Sequence, residues 1–113
     1  MSKYNYVLWP SDKNGDLKLD CVLLEAYSIM KETRLEVISE LQLGHYPLRE
    51  TLISLCYVSK NARESVVTID FMDGLTNLPV LYVKSSFAMG WGMSDGMRGA
   101  LSGLRKCLLK LFP

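Results

Sequence analysis

Between Thr51 and Phe87 the chain carries three apolar runs with the period of a β-strand, each closed by a short polar turn. Thr51 to Val58 is rich in β-branched and aromatic residues. Val67, Ile69 and Phe71 alternate with Thr68 and Asp70, the pattern of a half-buried strand. Pro79 opens a third strand through Val80, Tyr82 and Phe87, at a position where proline is tolerated. The links, Ser59–Ser65 and the turn begun by Asp73-Gly74, are too short for a crossover. Strands joined in this way pair antiparallel, so this stretch predicts a sheet with one face in need of cover.

The flanks supply the cover. Tyr4 to Trp9 reads as a strand stopped by Pro10, followed by a polar turn from Ser11 to Asp16 that contains Asn14-Gly15. Leu23, Tyr27 and Met30 share one face of a helix predicted over 19–32, with Asp20 as its cap. Leu35 to Leu43 alternates as a strand; a helix there would stack Glu32, Glu36 and Glu40 four apart. Gly44-His45-Tyr46-Pro47 turns the chain. A last helix, capped by Ser94 or Asp95, runs to the end with Met97, Leu101, Leu104, Leu108 and Leu111 on one side and Phe112 alongside. The 113 residues therefore read as one α+β domain, 1–113. Its order is β-α-β-β-β-β-α, a mainly antiparallel sheet of four to five strands covered by two helices.

Charge divides the chain. Residues 1–73 carry 8 basic and 11 acidic side chains; residues 74–113 carry 5 and 1, for a net +1 overall. The surface is expected to be bipolar, with no overall bias toward polyanions or membranes. Three scattered cysteines, Cys21, Cys56 and Cys107, sit in apolar runs and read as buried free thiols in a reducing compartment. No apolar run is long enough to span a bilayer and the first residues lack a signal core, so a cytoplasmic protein is expected.

The special residues gather before and within the last helix. Gly90-Trp91-Gly92-Met93-Ser94-Asp95-Gly96 makes a glycine-rich turn, with Met89, Met93 and Met97 recurring every four residues around Trp91. An exposed turn of this kind is an adaptable apolar docking surface. The polar side of the helix gathers Arg98, Arg105, Lys106 and Lys110, a strip suited either to solvent or to phosphate or acidic protein. Gly99 and Gly103 on that side point to close approach of another backbone, a partner's among the candidates. Gly90-Trp91-Gly92-Met93-Ser94 before a final helix resembles the entry to the last helix of double-stranded RNA-binding domains, and the local order α-β-β-β-α is similar to theirs. That resemblance implies a phosphate clamp of lysines just after the serine. Those positions here are Asp95, Gly96 and Met97, which leaves Arg98.

Catalytic patterns are missing from the sequence. His45 is the one histidine, no Cys-x-x-Cys occurs, and no motif sets a nucleophile beside a base. Asp70 and Asp73, near a strand end, read first as turn formers. The expectation is a small non-catalytic protein that needs no cofactor and docks on a protein partner through Met89, Trp91, Met93 and the basic helix face. Inhibitors, immunity proteins and accessory factors of phages or mobile elements have this character. A homodimer fits the same features. The alternative is a nucleic-acid-binding module built on the basic helix.

Overall fold

The computed structural model describes residues 3–10, 17–60, 64–88 and 93–113. The elements are β1 (Tyr6–Leu8), α1 (Leu17–Glu32), β2 (Glu36–Ile38), β3 (Thr51–Lys60), β4 (Glu64–Asp73), β5 (Pro79–Ala88) and α2 (Met93–Leu111). Two 3-10 turns, Glu40–His45 and Leu48–Glu50, lie between β2 and β3. The α+β class and the element order are those expected from the sequence.

The sheet order is β2-β1-β3-β4-β5. β3, β4 and β5 are antiparallel, as their short links require. The sheet as a whole is mixed, however, because β1 runs parallel to both β2 and β3. Helix α1 carries the chain back along the sheet, so β2 starts from the same end as β1. Residues 39–50 then return the chain and step past β1, and a parallel neighbour needs a connection of that length. This is why the strand predicted over 35–43 ends at Ile38. Ser39 opens a turn there: its N–H and hydroxyl donate to Gln42 Oε1, and Gln42 N–H donates to the Ser39 carbonyl. The predicted caps also shift. Asp20 falls inside the first turn of α1, and Ser94 and Asp95 inside that of α2. Four strands, not three, separate the helices, and β1 divides β2 from β3, so the likeness to double-stranded RNA-binding domains is partial.

Both helices cover one face. Alternation in β4 sends Val67, Ile69 and Phe71 to that face, where all three are fully buried. They meet Ala100, Leu104, Leu108 and Phe112 of the C-terminal segment, and Ala26, Ile29 and Met30 of α1. α2 lies along β4 and β5, while α1 lies against β2, β3 and α2. Phe71 and Phe112 meet edge to face, centroids 5.8 Å apart. Gly103 lets α2 come down on β5: a Cβ there would stand 2.6 Å from Ser85 Oγ. The close approach signalled by this glycine is therefore intramolecular. Of the cysteines, Cys56 is half-buried and Cys107 exposed, so the expectation of uniform burial fails at Cys107. Burial raises the Cys56 thiol to about 12, which suppresses its thiolate.

Candidate docking surface

The opposite face of the sheet is covered at one end only. Leu8 and Ile38 are buried there, outside the main core, in phase with Tyr6 and Glu36. Tyr46 closes that end: its ring lies 4.8 Å from Tyr6, and its hydroxyl reaches Glu36 Oε1 at 3.3 Å. Among the described residues no helix lies over β3, β4 and β5 on this side. Ile53, Leu55, Tyr57 and Ser59 of β3 share this face with Glu64, Val66, Thr68, Asp70 and Met72 of β4 and Tyr82, Lys84 and Ser86 of β5. Apart from Glu64, the β4 residues are half-buried between their neighbours, while Tyr57 and Tyr82 are 53% and 66% exposed. An apolar sheet face of this kind is uncommon on a lone monomer.

The β4–β5 turn continues the apolar surface with Leu75 and Leu78, both more than half exposed. The turn is held rigidly. Asp73 Oδ1 accepts from the N–H of Leu75 and of Thr76, at 2.8 and 3.0 Å. Asp73 Oδ2 accepts from the Tyr4 hydroxyl at 2.7 Å, and Lys3 Nζ stands 3.9 Å away. These donors hold the Asp73 carboxyl down at about 2, with the Tyr4 hydrogen bond the largest cause. Asn77 takes a left-handed φ of 60°, which asparagine tolerates. At Gly74 a Cβ would meet the Leu48 and Thr51 carbonyl oxygens at 2.8 Å, so only glycine allows this packing. Asp73 is thus the turn former expected from its place in the sequence. Asp70 sits on the open face, away from the turn's hydrogen bonds.

Of the residues singled out from the sequence, Arg98, Arg105, Lys106 and Lys110 are not brought together with this surface. Met89 and Trp91 lie outside the described residues, and Met93 begins α2. Arg98, Arg105, Lys106 and Lys110 are exposed on α2, on the helix-covered side of the sheet. Arg105 is engaged: its Nη2 and Nε grip Glu32 at the end of α1, at 2.7 and 3.1 Å. That contact raises the Arg105 pKa and lowers that of Glu32. His45 is exposed in a 3-10 turn. Among the described residues no three His, Cys, Asp or Glu side chains gather to hold a metal ion, and no helix is long and apolar enough to cross a membrane.

The sequence pattern that marks the open face is the double apolar phase of β3. Leu52, Cys56 and Val58 pack inward while Ile53, Leu55 and Tyr57 are apolar outward. A strand with one solvated face carries polar residues at the second set.

No family model matches the sequence, and no curated protein is detectably similar to it. Its fold is similar to that of the PelC dodecamer from Paraburkholderia phytofirmans, at a TM-score of 0.63 and 15% identity. The likeness covers 100% of this chain and 92% of that one. At that identity what is shared is the fold.

Proposed function

We propose that this protein is a non-catalytic interaction module that docks on a protein partner. The observation that carries the reading is the uncovered apolar face of β3–β5, with Tyr57 and Tyr82 standing out from it and a rigid Leu75–Leu78 turn at its margin. Exposed tyrosines on a stiff sheet contribute contact area at low entropic cost, and a preorganised turn lowers that cost further. The solved structure of similar fold is an assembly of copies of PelC, which agrees with a scaffold that works through protein contacts.

Affinity capture at physiological salt tests the reading, with wild type, Tyr82→Glu and Leu78→Glu as baits and Leu24→Glu as control. Leu24 is 64% exposed on α1, away from the sheet face. A stoichiometric protein complex should survive Leu24→Glu and be lost with the other two. Equal capture by all four baits overturns the assignment of this face.

Arg98, Lys106 and Lys110 form an exposed basic strip on α2, which supports a second reading as a nucleic-acid-binding helix. That reading requires binding to duplex RNA or DNA that weakens steeply with salt. Binding left unchanged by Lys106→Glu with Lys110→Glu rules it out.

A further inference from the structure

We infer that the occupant of the open β3–β5 face is a second copy of this chain, related by a two-fold axis lying in the plane between the two faces. The inference rests on the docking reading above and names the partner. Its basis is the arrangement of charge within the patch. Asp70, on β4, and Lys84, on the edge strand β5, are an acid and a base of this face, which also carries Glu64 at the start of β4. The register pairs Asp70 with Tyr82 and Thr68 with Lys84, so the two charges are diagonal neighbours on adjacent strands. Side chains in that relation are roughly 7–8 Å apart at Cα. Neither takes part in the Lys3–Asp73 or the Arg105–Glu32 pair.

An acid and a base side by side complement the same pair on a second copy. A two-fold axis through the midpoint between them sets each Asp70 against the other copy's Lys84, twice per dimer, and closes the assembly at two. Addition of a strand at the free edge is a weaker route. β5 opens with Pro79, which lacks an N–H, carries an irregular register at Phe71/Met72 and presents Lys84 along its length. These features blunt edge pairing.

The size of the face sets the strength. Three ten-residue strands give a footprint of about 33 Å by about 14 Å. That is about 460 Å² per copy, to which the Leu75–Leu78 turn adds, and it falls below the roughly 800 Å² per partner of standard stable interfaces. The dimer should therefore be weak and concentration-dependent.

Sedimentation equilibrium of the full chain across a wide micromolar range, at low and physiological salt, tests the inference. Wild type should move from 12.8 kDa toward twice that mass. Asp70→Lys alone and Lys84→Asp alone should each weaken association at least about tenfold, since each sets like charges face to face. An equimolar mixture of the two variants should restore a dimer, because a pair of bases then meets a pair of acids; we expect it to form as tightly as wild type. Circular dichroism of both variants checks that they fold. A single-chain mass at every concentration overturns the second-copy inference. A dimer unmoved by both charge variants and by Tyr82→Glu also overturns it, by placing the contact elsewhere. A monomeric wild type leaves the docking reading to its own capture experiment, so the two failures are told apart.

Discussion

Tyr4 and Asp73, 69 residues apart in the chain, are joined by a buried hydrogen bond of 2.7 Å from the phenol to the carboxylate. The contact ties the segment before β1 to the β4–β5 turn across the middle of the sheet. The same carboxylate caps the turn that presents Leu75 and Leu78. Tyr4→Phe should lower Tm by several degrees and speed amide exchange at Leu75 and Thr76, which hydrogen-exchange mass spectrometry reads directly. An unchanged exchange rate there would mean that the turn holds without Tyr4.

The pH dependence follows from the two pKa shifts. The Asp73 carboxyl is lowered from 3.8 to about 2 on folding, so its contribution is complete above pH 4 and is lost as pH falls through about 2. Burial, with help from Asp73, raises the Tyr4 phenol above 10.0. Its contribution is present below pH 10 and is lost as pH rises through the raised value. Denaturant melts across pH should therefore show an acid limb that is flatter in Asp73→Asn and an alkaline limb that is flatter in Tyr4→Phe. Limbs identical to wild type would show that other groups set both.

Gly103→Ala should be destabilising by about 1–3 kcal/mol, although alanine is the better helix former. The new Cβ would stand 2.6 Å from Ser85 Oγ, which donates a buried 2.6 Å hydrogen bond to the Ala100 carbonyl. Adding Ser85→Ala removes the obstructing oxygen, so the double variant should be more stable than Gly103→Ala alone. A double-mutant cycle by urea melts measures this coupling, and simple additivity would refute it.

Phe112→Ala should cost about 3–5 kcal/mol, for a residue one from the end of the chain. Its ring is fully buried against Phe71, its N–H donates to the Leu108 carbonyl, and its carbonyl accepts from Arg34 N–H. Chemical denaturation gives the value; a loss within error would place the ring outside the core.

Arg105→Ala should change stability slightly, and only at low salt. The Glu32–Arg105 pair is bidentate, but its side chains are 43% and 55% exposed. Exposed pairs are screened at roughly 1 M salt, where the Debye length is about 3 Å. Thermal melts of wild type and variant should converge there.

Local patterns in the chain suffice for most of the elements. Period-two alternation gave β4 and β5, helical spacing gave both helices, and the short link at Asp73-Gly74 made β4 and β5 antiparallel neighbours. Each of these signals depends on residues a few positions apart. Packing settled what depended on distant partners. Whether residues 39–50 form a hairpin or a crossover was fixed by the place of β1 between β2 and β3, a choice no local pattern carries. Gly103 pointed to a close approach by another backbone, and only the fold shows that what approaches it is Ser85 of β5. Arg105 read as a free cation until Glu32 met it from another helix. The sequence called for cover on one face of the sheet; that the apolar residues Ile53, Leu55 and Tyr57 of β3 lie on the other face, where no helix of the described residues packs, is shown only by the packed molecule.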